Sequence, residues 1–213
     1  MVLVENLFHS TGAGSHRKVI DIGFFFLCCG IMLICSLFFA ILEDELISAS
    51  SLKNEAARLD IFDRRFGYGA AEVHSTLQAW GMRGRLLYLI IELLDGALYI
   101  FAFRGAFLVL YNRMANVIED LHPKLSLIAH AMTYIPILIG FFDMLENMAH
   151  VIMTLHMATT STSFAWILIV RFGSTMNTLK WTAFYLCQPL FFVQALAVFI
   201  MVVGAACRIR KQE

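Results

Sequence analysis

The sequence predicts an all-α integral membrane protein, a four-transmembrane-helix bundle with an amphipathic helical segment between helices 1 and 2. Hydrophobic residues make up 60% of the 213 residues and charged residues only 15%, against roughly 45–50% and 25% in soluble domains. The mean hydropathy is +0.74. A soluble fold of this size could not bury so much apolar surface. We therefore expect one integral membrane domain over residues 1–213, with the lipid bilayer as its main partner.

Four segments contain the roughly 20 mostly apolar residues that a helix needs to cross the hydrocarbon core. They cover about 22–42, 86–111, 125–157 and 181–207. The first is uncharged and is followed by acidic residues rather than a small-residue cleavage site, so it is predicted to be a retained anchor. The third is too long for one perpendicular crossing, and we expect it to tilt, project or kink at Pro136. Residues 164–170 are apolar but too short to cross, which favours an interfacial or re-entrant piece.

The connection 43–85 is predicted to form two short amphipathic helices that lie on the membrane or cap the bundle. Apolar residues at helical spacing define two faces, and Gly81 ends the second. The first face contains Leu52, Ala56, Leu59 and Phe66, and the second contains Val73, Leu77 and Trp80.

An even number of spans places both termini on one side of the membrane. Lysine and arginine residues near the span ends are more numerous on that side, which predicts cytoplasmic (or matrix) termini. The endoplasmic reticulum and the mitochondrial inner membrane are both compatible hosts. The formal net charge is zero, and no basic tract points to nucleic acid. No motif indicates a cofactor.

Two of the spans carry a polar stripe. Each charged residue inside a span costs roughly 2.5–3.5 kcal/mol on insertion scales, so neither stripe can face lipid cheaply. We therefore expect the stripes to face each other, with Lys180 and Arg104 as candidate cations. The second span contributes Tyr88, Glu92, Asp95 and Tyr99, and the third contributes Asp143, Glu146, Asn147 and His150.

Three interpretations of this cluster remain open. In the first, it fixes helix packing, and Arg104, Asn147, Lys180, Tyr88 and Tyr99 are structural or ion-pairing residues. In the second, the cluster is a membrane-embedded site for a lipid- or sterol-like molecule; the candidate acid–base residues are Glu92, Asp95, Asp143, Glu146 and His150. In the third, it is a proton or cation pathway. The Glu146-x-x-x-His150 spacing differs from the Glu-x-x-His of di-iron bundles, so no metal is predicted.

The sequence lacks a complete catalytic signature. This favours a structural or accessory subunit, whose partners would be other membrane proteins or a second copy of the chain. An enzyme or binder acting on a lipid-like molecule is the alternative.

Three strings in the sequence carry a resemblance to a known group. They are Phe66-Gly67-Tyr68 with the later Glu72-Val73, Gly84-Arg85 and Tyr88; Phe142-Asp143-x-Leu145-Glu146-Asn147; and Thr178-Leu179-Lys180. They resemble small four-helix integral membrane proteins, mainly bacterial, that pair a GY-x-x-x-E-V…GR-x-x-Y segment with an FD-x-LEN helix. The resemblance covers roughly residues 60 to 200. It implies a fold but no activity, and it implies that Asp95, Asp143, Glu146, Asn147 and Lys180 belong together.

Overall fold

The computed structural model describes residues 12–50, 62–157 and 163–210, and within these ranges all regular structure is helical. The helices are α1 Gly12–Ala49, α2 Ala70–Leu94, α3 Ile100–Leu121, α4 Ser126–Ala131, α5 Ile135–Leu155 and α6 Phe164–Arg210. A π-helical turn, Asp95–Tyr99, joins α2 to α3, and 3-10 turns cover Phe62–Arg64, Pro123–Leu125 and Met132–Tyr134.

Four helical stretches are long and apolar enough to cross a membrane: Asp21–Ala49, Ala70–Leu121, Pro123–Leu155 and Phe164–Gly204. We refer to them as the first to fourth spans. Large apolar side chains such as Phe26 and Phe192 are more than 60% exposed on the outside of the bundle, as expected of a surface solvated by lipid. The predicted all-α architecture with four spans is confirmed.

The second span begins earlier than the sequence predicts. The face formed by Val73, Leu77 and Trp80 is fully buried in the main core, and its helix runs on into the span. Gly81 changes the chain direction with φ 61° and ψ −166°, a region that is essentially restricted to glycine. Of the other predicted face, Leu52, Ala56 and Leu59 lie outside the described residues. Its fourth member, Phe66, is 61% exposed and lies in no helix.

The fourth span also differs from the prediction. Residues 164–170 are not a separate interfacial piece but form the first two turns of α6. The polar residues that follow, Ser174, Asn177 and Lys180, recur every three residues and so share one helix face. All three bond to other parts of the bundle. The polar stretch therefore continues the helix instead of ending it.

The α-helix of the third span is interrupted beside Pro136, the position at which the sequence predicts a kink as one of three possibilities. The 3-10 turn Met132–Tyr134 separates α4 from α5 at this point. Proline lacks an N–H, and its ring clashes with the carbonyl group four residues earlier. Both effects disfavour a regular α-helix in the turn before Pro136, where the 3-10 turn lies.

The segment 62–69 enters the bundle and docks against the polar face of α6. Phe62 is 1% exposed. The backbone N–H of Tyr68 donates to Ser174 Oγ at 2.9 Å, and the indole of Trp181 donates to the Asp63 carbonyl at 2.8 Å. These contacts bring Asp63 and Tyr68, which belong to no span, beside the polar stripes.

Candidate functional site

The two predicted stripes meet inside the bundle. Asn147 Nδ2 donates to Asp95 Oδ2 at 2.6 Å, and His150 Nδ1 lies 3.1 Å from Glu92 Oε2. The Glu92 and His150 side chains are 3% and 0% exposed. Tyr88 is fully buried beside them, with its ring 5.8 Å from the imidazole. A shielded seam of acidic and imidazole groups therefore exists between the second and third spans.

Lys180 of the fourth span supplies the cation for this seam. Its ammonium donates to Asp143 Oδ1 at 3.1 Å, lies 2.6 Å from Glu146 Oε2 and donates to Asp63. We call these four residues the Lys180 network. Oxygens of the three carboxylates lie within 4.8 Å of one another, a spacing that could hold a metal ion. The Lys180 ammonium already contacts all three, so it fills the role that a metal would take.

Asp63 is not among the predicted candidate residues, because the periodic pattern of its connection consists of apolar residues and does not single out an acidic one. Burial raises the pKa of its carboxyl, but the charge and hydrogen bond of Lys180, together with the charges of His150 and Arg64, lower that pKa by more. The net result is a pKa below the ordinary value. Asp63 is therefore ionised near neutral pH and anchors the connection to the fourth span.

The Tyr68 hydroxyl, the His150 imidazole and the Glu92 carboxyl group form a chain of three polar groups. The two predicted stripes contain His150 and Glu92 but not Tyr68. Its hydroxyl lies 2.8 Å from His150 Nε2, opposite the ring nitrogen that faces Glu92. Burial, followed by the charge of Glu146, raises the pKa of the Tyr68 hydroxyl far above its ordinary value. The phenol therefore keeps its proton. Its place in the Gly67-Tyr68 string was the one sequence signal for this residue.

Asn177 braces the site from the fourth span. Its Nδ2 lies 2.5 Å from Glu146 Oε1 and 3.3 Å from the Phe62 carbonyl, and its Oδ1 accepts from the backbone N–H of Gly67 at 3.1 Å. Asn177 precedes Lys180 by three residues and therefore lies on the same helix face. This spacing could have identified Asn177 from the sequence. The side chain thus ties the connection to the third span.

Arg104 and Tyr99 lie at the edge of the seam rather than within it. The Arg104 guanidinium lies 5.9 Å from the Phe101 ring centre, and its stem packs on Gly140. Within the described part of the chain, it makes no ion pair with the acidic residues. Tyr99 packs against Phe39 at 5.7 Å between ring centres.

A cavity of about 330 Å³ adjoins the seam. Its polar lining comprises Ser36, Asp63, Arg64, Asp95, Asp143 and Lys180, and its apolar and aromatic lining comprises Phe39, Tyr99, Phe103, Ile139, Trp181 and Phe184. A smaller chamber of about 50 Å³ shares Asp63, Arg64 and Asp95 with it and reaches Glu43 and Glu92. The site therefore offers both a rigid ion-pair network and an open volume beside it.

These features define an integral membrane protein of four helical spans with a buried carboxylate, lysine and histidine cluster. Comparisons with protein-family models, curated proteins and solved structures find no match for the chain. The resemblance to small four-helix membrane proteins therefore stays a prediction, and the function has to be argued from the site itself.

Proposed function

We propose that the protein binds an amphipathic, lipid-like molecule in the cavity beside the Lys180 network. The observation that carries this proposal is the composition of the cavity lining. The cavity wall combines charged residues with aromatic ones. Asp95, Asp143 and Lys180 line it together with Phe103 and Phe184. The volume of about 330 Å³ falls in the range of small-molecule sites, roughly 300–1,000 Å³. Molecules with one polar and one apolar end match such a lining.

The bilayer offers a direct route to this cavity. Ser36 lines the cavity and is exposed on α1. Its neighbour Leu37 is 60% exposed on the apolar outer surface. A molecule dissolved in the bilayer can therefore reach the lining past Ser36 without crossing bulk water.

The five acid–base candidates differ in whether they line the cavity, the adjoining chamber or neither space. Asp95 and Asp143 line the cavity, and Glu92 lines the adjoining chamber. Glu146 and His150 are fully buried and line neither space. A ligand would therefore meet Asp95 and Asp143, while Glu146 and His150 would act through Lys180 and Glu92.

Blocking the entrance tests the proposal. We expect Ser36→Trp to exclude a co-purifying amphipath that native mass spectrometry detects on the wild-type protein. Leu37→Trp introduces the same side chain one residue further along α1, at a position outside the cavity lining, and should retain the bound molecule. Equal occupancy of the two variants, or a wild-type protein with no bound amphipath, would refute the proposal.

A structural role is the second candidate, and the Lys180 network favours it. This network joins the connection to the third and fourth spans through one ammonium, as expected of an accessory subunit in which the cluster fixes helix packing. Glu146→Gln should then reduce abundance or assembly with partner subunits. Normal abundance and assembly together with loss of ligand binding would contradict this role.

A further inference from the structure

We propose that the molecule bound in the cavity carries a positive charge, as an ammonium group on an apolar body. This inference rests on the proposed ligand-binding function and names the chemical class of the ligand. It depends on the charge balance of the lining, on the aromatic walls and on a buried oxygen in the adjoining chamber.

Among the residues that the structure describes, the cavity lining and its ion-pair partners have an excess of acidic over basic groups. Arg64 contacts Glu43, and Lys180 is shared among Asp63, Asp143 and Glu146. With Asp95, the lining and its ion-pair partners therefore contain five carboxyl groups and two basic side chains.

Asp95 carries this excess into the cavity. Its carboxylate accepts a hydrogen bond from the uncharged amide of Asn147 at 2.6 Å, and no cation pairs with it among the described residues. A cation bound beside a buried carboxyl group stabilises its ionised form, whereas an anion gains nothing from the protonated form and is repelled by the ionised one. The open volume in front of Asp95 is therefore suited to an ammonium group and unsuited to a carboxylate or phosphate.

The aromatic walls favour the same charge. Tyr99 lies about one turn beyond Asp95 and packs against Phe39, and both rings line the cavity together with Trp181. The Trp181 ring already has the Lys180 ammonium 5.6 Å from its centre. Aromatic faces attract cations through their quadrupole, by roughly 0.5–2 kcal/mol per contact. They also pack well against an apolar body.

The adjoining chamber contributes an independent observation. Glu92 is 3% exposed and lines this chamber beside Asp95. Its Oε2 makes no hydrogen bond of good geometry within the described structure, although His150 Nδ1 lies 3.1 Å away. A buried acceptor without an aligned donor costs free energy. An ammonium group at this end of the site would supply the aligned donor that Glu92 Oε2 lacks.

A charge series of probes with one alkyl chain tests the inference. The protein in dodecyl maltoside at pH 7 is titrated with nonylammonium, nonanol, nonanoate and ethylammonium, and Trp181 in the cavity wall contributes a fluorescence signal corrected with protein-free micelles. We expect nonylammonium to bind at least tenfold more tightly than nonanol, and nonanoate and ethylammonium to bind more weakly than either.

Two variants locate the effect. Asp95→Asn should abolish most of the preference for nonylammonium over nonanol. Asp21→Asn makes the same chemical change in a carboxylate that pairs with Arg113 away from the cavity, and should keep the preference.

Each contrary outcome has a distinct meaning. Equal binding of nonylammonium and nonanol, or tighter binding of nonanoate, overturns the inferred charge and leaves the proposed function standing. Ethylammonium binding as tightly as nonylammonium overturns the requirement for an apolar body. If none of the probes saturates on the wild-type protein, the proposed function fails together with the inference.

Discussion

Replacing Lys180 with methionine removes the cation from a buried network while nearly preserving the side-chain volume. The wild-type ammonium is 7% exposed and faces Asp63, Asp143 and Glu146. In the variant these carboxylates face one another without a compensating charge. Removing one partner of a buried ion pair costs about 3–5 kcal/mol, and we expect the free energy of unfolding to fall by this amount.

The assay is reversible unfolding in detergent, followed by helical circular dichroism. The control is Arg83→Met, which breaks an ion pair with Glu45 whose side chains are 75% and 52% exposed. Exposed pairs contribute about 0–1 kcal/mol, so the control should unfold almost as the wild type does.

A second substitution identifies the cause of the loss. Glu146 is fully buried, and Glu146→Gln removes one negative charge from the network. Combined with Lys180→Met, it restores the formal charge of the wild-type network, so the double variant should be more stable than Lys180→Met alone. A loss below about 1 kcal/mol in the single variant, or additive losses in the double variant, would refute the electrostatic reasoning.

Three further predictions concern other parts of the fold. Gly81→Ala should lower the free energy of unfolding by about 1–3 kcal/mol, because its φ of 61° and ψ of −166° suit only glycine. Gly173→Ala should cost about 1–3 kcal/mol, since the new Cβ would lie 2.6 Å from the Tyr68 hydroxyl; an unchanged unfolding curve would contradict this packing. The pKa of Asp63 is lowered, so its stabilisation is fully present above the unfolded pKa of about 3.9. The stability difference between wild type and Asp63→Asn should be constant above about pH 5 and shrink as the pH falls below that value; a difference independent of pH down to pH 3 would be the contrary result.

The meeting of the two stripes could be predicted from sequence because two simple rules act together. Helical spacing places Glu92 and Asp95 on one face and Asn147 and His150 on another. The cost of exposing these groups to lipid then turns the faces toward each other. The contacts between Asn147 and Asp95 and between His150 and Glu92 bear this out.

The residues that escaped prediction lie where neither rule applies. Asp63 and Tyr68 lie outside the two apolar faces of their connection, and their partners are more than 80 residues away in sequence. Hydropathy alone separates residues 164–170 from the last span. The polar residues Asn177 and Lys180 lower the hydropathy between the two, and the sequence does not reveal that both side chains face the inside of the bundle. Arg104 is a residue whose charge predicted too much. Its charge made it a candidate partner for the acidic residues, but its guanidinium lies beside the Phe101 ring.

The position of Lys180 in the chain imposes an order on biosynthesis. Asp143 precedes it by 37 residues, which a ribosome takes about 2–7 s to translate at roughly 5–20 residues per second. The acidic residues of the second and third spans therefore leave the ribosome before their counter-ion exists. The contacts of Asp63 with Lys180 can therefore form only after the final helix has been synthesised.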